Sequence, residues 1–125
     1  MEVSEMTWFY HVKTRKFEKD GAFRFKAEYA GAPGYKDEPE QECVINKGPL
    51  PRGKYLISDP IFKHPTAGKY VLRLTPHPDN NMCGRSGFLI HGDNEDGTAS
   101  KGCIVLLRKF RKEIVDSADK ELIIR

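Results

Sequence analysis

The chain has 125 residues, enough for one modest hydrophobic core with little left for a second. Hydrophobic residues make up 38% and charged residues 31%, a globular balance, and no apolar run approaches the roughly 20 residues that span a bilayer. The 21 basic and 18 acidic side chains, formal charge +3, are spread along the chain without the clustered stripe of a nucleic-acid binder, so neither membrane insertion nor nucleic-acid binding is expected.

A single domain over residues 1–125, mainly β, is the expectation. Met1 to Tyr10 contains two glutamates and lacks both a basic n-region and an apolar h-region, so no Sec signal peptide is expected. Frequent Pro and Gly cut the first two thirds into strand-length pieces. Strands are expected over residues 8–12, 23–29, 54–57, 70–75, 87–91, 102–106 and 122–124, rich in aromatic and β-branched residues. The clearest is 23–29, where Phe23, Phe25, Ala27 and Tyr29 alternate with Arg24, Lys26 and Glu28 after an Asp20-Gly21 turn. Seven short strands suggest a β-sandwich or barrel.

Residues 30–52 turn to Gly, Pro and charge, as a long surface loop does. One helix is expected over 107–117, in the C-terminal half, with Leu107, Phe110 and Ile114 inward and Arg108, Lys109, Arg111 and Lys112 outward.

Three cysteines, Cys43, Cys83 and Cys103, are not a disulfide framework for a small secreted domain. Cys43 and Cys83 read either as plain thiols or as a pair that leaves Cys103 free.

The informative stretch is Gly-Phe-Leu-Ile-His-Gly-Asp at 87–93 followed by Thr-Ala-Ser-Lys-Gly-Cys-Ile-Val at 98–105. A thiol attacks an amide carbonyl as thiolate, so its ordinary pKa of about 8.5 must be lowered or matched by a base, most often His. His91 closes one strand and Cys103 opens the next, and a hairpin pairing of the two brings them close. Gly102 lets the backbone approach substrate, the N–H groups near Gly102 and Cys103 are candidate oxyanion donors, and Ser100 shapes the turn. Asp93 orients His91 or caps a turn, and a backbone carbonyl can also do the orienting. His11, His64 and His77 read as surface residues. A zinc site of His77, Cys83, His91 and Cys103 has spacings that match no ordinary finger, so no metal and no cofactor is expected.

His91-Gly92 and, after a variable loop, Ser100-Lys101-Gly102-Cys103 resemble the L,D-transpeptidase signature. The resemblance extends to the type VI secretion L,D-transpeptidase effectors through Trp8, Tyr29 with Gly31, Gly48-Pro49-Leu50-Pro51-Arg52-Gly53-Lys54-Tyr55, and Gly84-Arg85 leading into Phe88-Leu89-Ile90-His91-Gly92-Asp93. It implies a compact β-sandwich-like fold and a Cys103 nucleophile with His91 as base. The implied reaction is attack on the diaminopimelate carbonyl of the peptidoglycan tetrapeptide stem, with loss of the terminal D-alanine through a thioester, completed by water or by an amine. It also implies synthesis in the cytoplasm, delivery by a type VI system into a target cell's periplasm, and a cognate immunity protein; a monomer is expected. One departure stands out: ordinary L,D-transpeptidases carry Arg two positions after the Cys, and here that residue is Val105. Arg85 is the candidate replacement, and Arg85, Ser100 and Gly92 are the candidate substrate contacts. The missing Arg also motivates an alternative, a non-catalytic peptidoglycan-binding module on the same fold.

Overall fold

The computed structural model describes residues 6–125; the reading of a leader-free N-terminus rests partly on residues 1–5, outside that range. Ten strands and one helix follow in the order β1 (Thr7–His11), β2 (Lys16–Lys19), β3 (Ala22–Lys26), β4 (Tyr29–Ala30), β5 (Gly53–Ile57), β6 (Ile61–His64), β7 (Gly68–Pro76), β8 (Leu89–His91), β9 (Ile104–Val105), α1 (Arg108–Ser117) and β10 (Glu121–Ile124). The fold is mainly β with one helix, as the alternation predicts.

The strand path is β3-β2-β1-β10-β5-β7-β8-β9-β4, with β6 forming a hairpin on β7. Its two ends, β3 and β4, are consecutive in the chain and separated by only Ala27 and Glu28. The path must therefore curl back on itself, which makes the sheet sandwich-like or barrel-like around its core. Strands β1 and β10 lie parallel, Trp8 opposite Leu122 and Tyr10 opposite Ile124, and all four side chains are buried. Period-two alternation therefore sends one face of this strand pair inward.

Aromatic rings fill that interior. Trp8 and Phe25 have centroids 5.6 Å apart, Tyr10 and Phe17 4.6 Å, and Phe25 stacks on Phe110 of α1 at 4.4 Å. Such pairs contribute about 0.5–1.5 kcal/mol each beyond their buried area. Trp8 Nε1 also donates to Ser117 Oγ at 3.0 Å, so both ends of α1 are fixed to the sheet. Ala118, in left-handed geometry at φ 63°, ends the helix.

Three local expectations need correction. The run 23–29 is not one strand: a bulge between Phe17 and Glu18 shifts the β2–β3 register and leaves Phe23 56% exposed, and after Ala27 and Glu28 the chain moves on to β4, where Tyr29 pairs with Val105 of β9. Arg111 does not face outward. It is 5% exposed, because it stands one turn before the buried Ile114 on the same helical face, whereas Leu107, also expected inward, is 44% exposed.

Residues 30–52 form the expected loop, with a short 3-10 turn at Pro39–Gln41. A disulfide joins Cys43 to Cys83, Cα atoms 5.3 Å apart, and Arg52 grips Glu42 through Nε and Nη2, each at 3.0 Å. Among the described residues no helix is long and apolar enough to cross a membrane.

Candidate active site

Strand β8 ends on His91, residues 92–103 cross over, and β9 begins at Ile104. The two strands are parallel, Ile90 opposite Ile104 and His91 opposite Val105, not the hairpin expected from their spacing. A twelve-residue connection is long enough for a crossover, which parallel pairing requires. Residues in register share a face, and faces alternate with period two. Carrying the register back one residue sets Cys103 opposite Leu89, on the face that carries His91. Both side chains line a cavity of about 1060 Å³.

The crossover is held by side chains. Ser100, 1% exposed, accepts from the N–H groups of Gly31 and Gly102, both at 2.9 Å, and donates to the Cys103 carbonyl at 2.7 Å. Ser100 is thus the turn-former and, being buried and fully bonded, does not present its hydroxyl to a substrate. The Gly102 N–H is engaged by that hydroxyl, which removes it as an oxyanion donor. Tyr29 donates to Asp93 Oδ1 at 2.5 Å and accepts from the Ala99 N–H at 2.9 Å, tying both ends of the loop to β4. Burial and the Asp93 bond push the Tyr29 phenol up to about 12.

His91 Nδ1 lies 2.7 Å from the Gly92 carbonyl oxygen. A carbonyl only accepts, so Nδ1 carries the proton and Nε2 keeps a lone pair. The backbone therefore orients the ring, while Asp93 is bonded to Tyr29 and to the Asn94 N–H. Burial, the largest cause, lowers the His91 pKa below 6.5; the Gly92 bond opposes this and Arg111 adds to it. Burial likewise raises the Cys103 thiol, against the N–H groups of Leu89 and Cys103 and the charge of Arg85. At neutral pH the pair rests as neutral thiol and neutral imidazole, and no hydrogen bond joins them among the described residues.

Arg85 is placed differently from the expectation of a free clamp. Its Nη1 donates to the carbonyls of Glu42 and Pro49 at 2.5 and 3.0 Å, and its Nη2 to those of Gly48 and Lys101 at 2.9 and 3.0 Å. It stitches the 42–49 loop to the nucleophile turn, two residues from the disulfide at Cys83. Gly102, at φ 140°, is required by this packing: a Cβ there would meet Arg85 Nη2 at 2.7 Å, Phe88 Cε1 at 2.8 Å and the Gly48 oxygen at 2.9 Å. Its bare Cα makes room for the protein's own Arg85 and Phe88.

Gly92 lines the cavity and backs onto Arg111, whose Nη2 would be 3.3 Å from an added Cβ. His64, read from sequence as a surface residue, also lines the cavity and accepts the N–H groups of Thr66 and Ala67 at Nδ1. Its place at the end of β6, opposite Gly68, is a tertiary fact with no local signature. Arg111 was findable, since it stands three residues before Ile114 and so shares that residue's inward face. With Cys83 in the disulfide, the four-ligand zinc set is not assembled, and no metal-capable cluster of three occurs among the described residues.

A mainly β fold thus sets a cysteine and a histidine on the lining of one cavity. The chain is similar to the helical cell shape determining protein Pgp2 of Campylobacter jejuni, with 20% identity over 95% of this chain and 46% of that one, TM-score 0.56. It is also similar to an L,D-transpeptidase from Mycobacterium smegmatis, with 16% identity over 95% of this chain and 58% of that one, TM-score 0.52. The chain thus spans about half the length of these solved structures. No curated protein sequence matches it significantly. The chain belongs to the Tlde1 domain family, whose model matches residues 23–121.

Proposed function

We propose that the chain is a cysteine-dependent L,D-carboxypeptidase/L,D-transpeptidase acting on the tetrapeptide stem of peptidoglycan. The observation that carries this reading is the His91 tautomer: Nδ1 is held by the Gly92 carbonyl, so the free lone pair on Nε2 belongs to a ring that shares the cavity wall of Cys103.

Because thiol and imidazole rest neutral, catalysis begins with general-base transfer of the thiol proton to Nε2. The sulfur then bonds to the diaminopimelate carbonyl carbon, and the carbonyl electrons move onto oxygen. The N–H groups of Leu89 and Cys103, which act on the sulfur, face the oxyanion as it forms. Collapse breaks the C–N bond, the imidazolium returns its proton to the departing D-alanine amine, and a thioester remains. Water or an acceptor amine, deprotonated by Nε2, then attacks the thioester and restores the thiol.

Arg85 acts here as an electrostatic and structural support of the nucleophile turn, not as a clamp. Arg73 and Lys101, both exposed on the cavity, are the cations available to stem carboxylates. Membership of the Tlde1 domain family supports a role as an antibacterial type VI effector, delivered to a target-cell periplasm and neutralised in the producer by an immunity protein. We take residues 1–125 as one catalytic domain that works as a monomer.

The test is intact-mass measurement of protein mixed with a tetrapeptide stem. An adduct of the acyl tripeptide at Cys103, absent in Cys103→Ser, is the expected result; no adduct and no turnover by folded protein contradicts the reading.

A further inference from the structure

Arg111 is a buried cation that has no counter-charge among the described residues. It is 5% exposed, its Nε and Nη1 have no hydrogen-bond partner among the described residues, and none of the ion pairs among those residues includes it. Its guanidinium lies against the residue that follows His91: an added Cβ on Gly92 would sit 3.3 Å from Nη2, 3.6 Å from Nη1 and 3.7 Å from Cζ. Gly92 is also the residue whose carbonyl receives the Nδ1 proton of His91. The helix that carries Arg111 therefore touches the hinge of the imidazole.

A buried charge is screened poorly, and it opposes a second like charge nearby. We propose that Arg111 is a positioning residue for His91: packed behind the His91–Gly92 peptide, it supports the turn that orients the ring and disfavours the imidazolium, so that Nε2 keeps its lone pair.

Other groups also face the ring. Asp93, from the following loop, favours the charged form, and His64, from β6, opposes it. Arg73 of β7 and Lys101 of the crossover line the same cavity, while Val105, the register partner on β9, carries no charge. Burial has the largest effect, and among charged neighbours Arg111 ranks ahead of Asp93 and His64.

The inference rests on the reading of His91 as the base, but its electrostatic content can be measured without turnover. In protein labelled at histidine, the imidazole resonances are titrated by NMR, with the His91 signal assigned from its loss in His91→Gln. In Arg111→Gln the His91 midpoint should move to higher pH, and in Arg111→Lys it should stay near wild type. Gly92→Ala, whose methyl would press on Nη2 from 3.3 Å and shift it by a few tenths of an ångström, gives an independent reading in case Arg111→Gln does not fold, and should move the His91 midpoint slightly in the same direction.

The acidic limb of kcat/KM should follow the NMR midpoint, whereas a merely structural role lowers kcat/KM equally at every pH. An unmoved His91 midpoint in folded Arg111→Gln, or a shift of equal size in Arg111→Lys, overturns the proposal. Failure of turnover with the NMR shift intact would count against the enzymatic reading alone.

Discussion

The Ser100 hydroxyl donates to the carbonyl of Cys103 at 2.7 Å while holding the N–H of Gly102. One buried side chain thus sets the backbone on both sides of the nucleophile's peptide. Ser100→Ala leaves two N–H groups, of Gly31 and Gly102, without their acceptor, at a cost of about 1–3 kcal/mol. Thermal melts should show that loss, and turnover should fall at saturating substrate even at temperatures where the variant is fully folded.

Gly102→Ala should be worse. The new methyl would come within 2.7–2.9 Å of Arg85, Phe88 and the Gly48 carbonyl, at a φ of 140° that alanine avoids. Backbone strain alone costs about 1–3 kcal/mol, and the collision displaces Arg85 from the turn. Circular dichroism with a thiol-reactivity assay at Cys103 checks both consequences.

Removing the Cys43–Cys83 disulfide frees a loop whose carbonyls at 42, 48 and 49 hold Arg85. The double variant Cys43→Ser with Cys83→Ser should lose about 2–4 kcal/mol in a denaturant titration. Its turnover should also fall, because the support of the nucleophile turn loosens. Wild-type stability in that variant would mean the bridge constrains nothing.

The His91 pKa is lowered in the folded protein from 6.5, which fixes the sign of its pH dependence. Below 6.5 the unfolded chain binds the proton and the folded one resists it, so stability from this site is complete above that pH and declines as pH falls toward the folded value. Urea midpoints should therefore fall on acidification, less so in His91→Gln. Activity should persist to lower pH than an ordinary imidazole allows.

Much of this was legible in the residues, and the failures share a cause. Trp8, Tyr10, Tyr55, Leu122 and Ile124 announce buried strand faces by alternation, and the His91 and Ser100–Cys103 segments announce the site. Alternation says nothing of partners, so the parallel pairing of β8 with β9 and the hand-over of Tyr29 to a different strand neighbour stayed hidden. Arg85 looked like a free anion clamp because its acceptors, the carbonyls of Glu42, Gly48 and Pro49, are some forty residues away in the chain. Arg111 reads as outward beside Arg108, Lys109 and Lys112 when Leu107, Phe110 and Ile114 mark the inner face, but Leu107 is exposed and the buried face runs through Arg111 and Ile114.

The central claim is that Cys103 is the nucleophile on the peptidoglycan stem. Mass spectrometry of tetrapeptide muropeptides incubated with the protein and with Cys103→Ala tests it most directly. Conversion to tripeptide, or exchange of the terminal D-alanine for an added D-amino acid, by the wild type and not by the folded variant is the predicted result. Equal conversion by both proteins, or binding to sacculi without conversion by either, would contradict it.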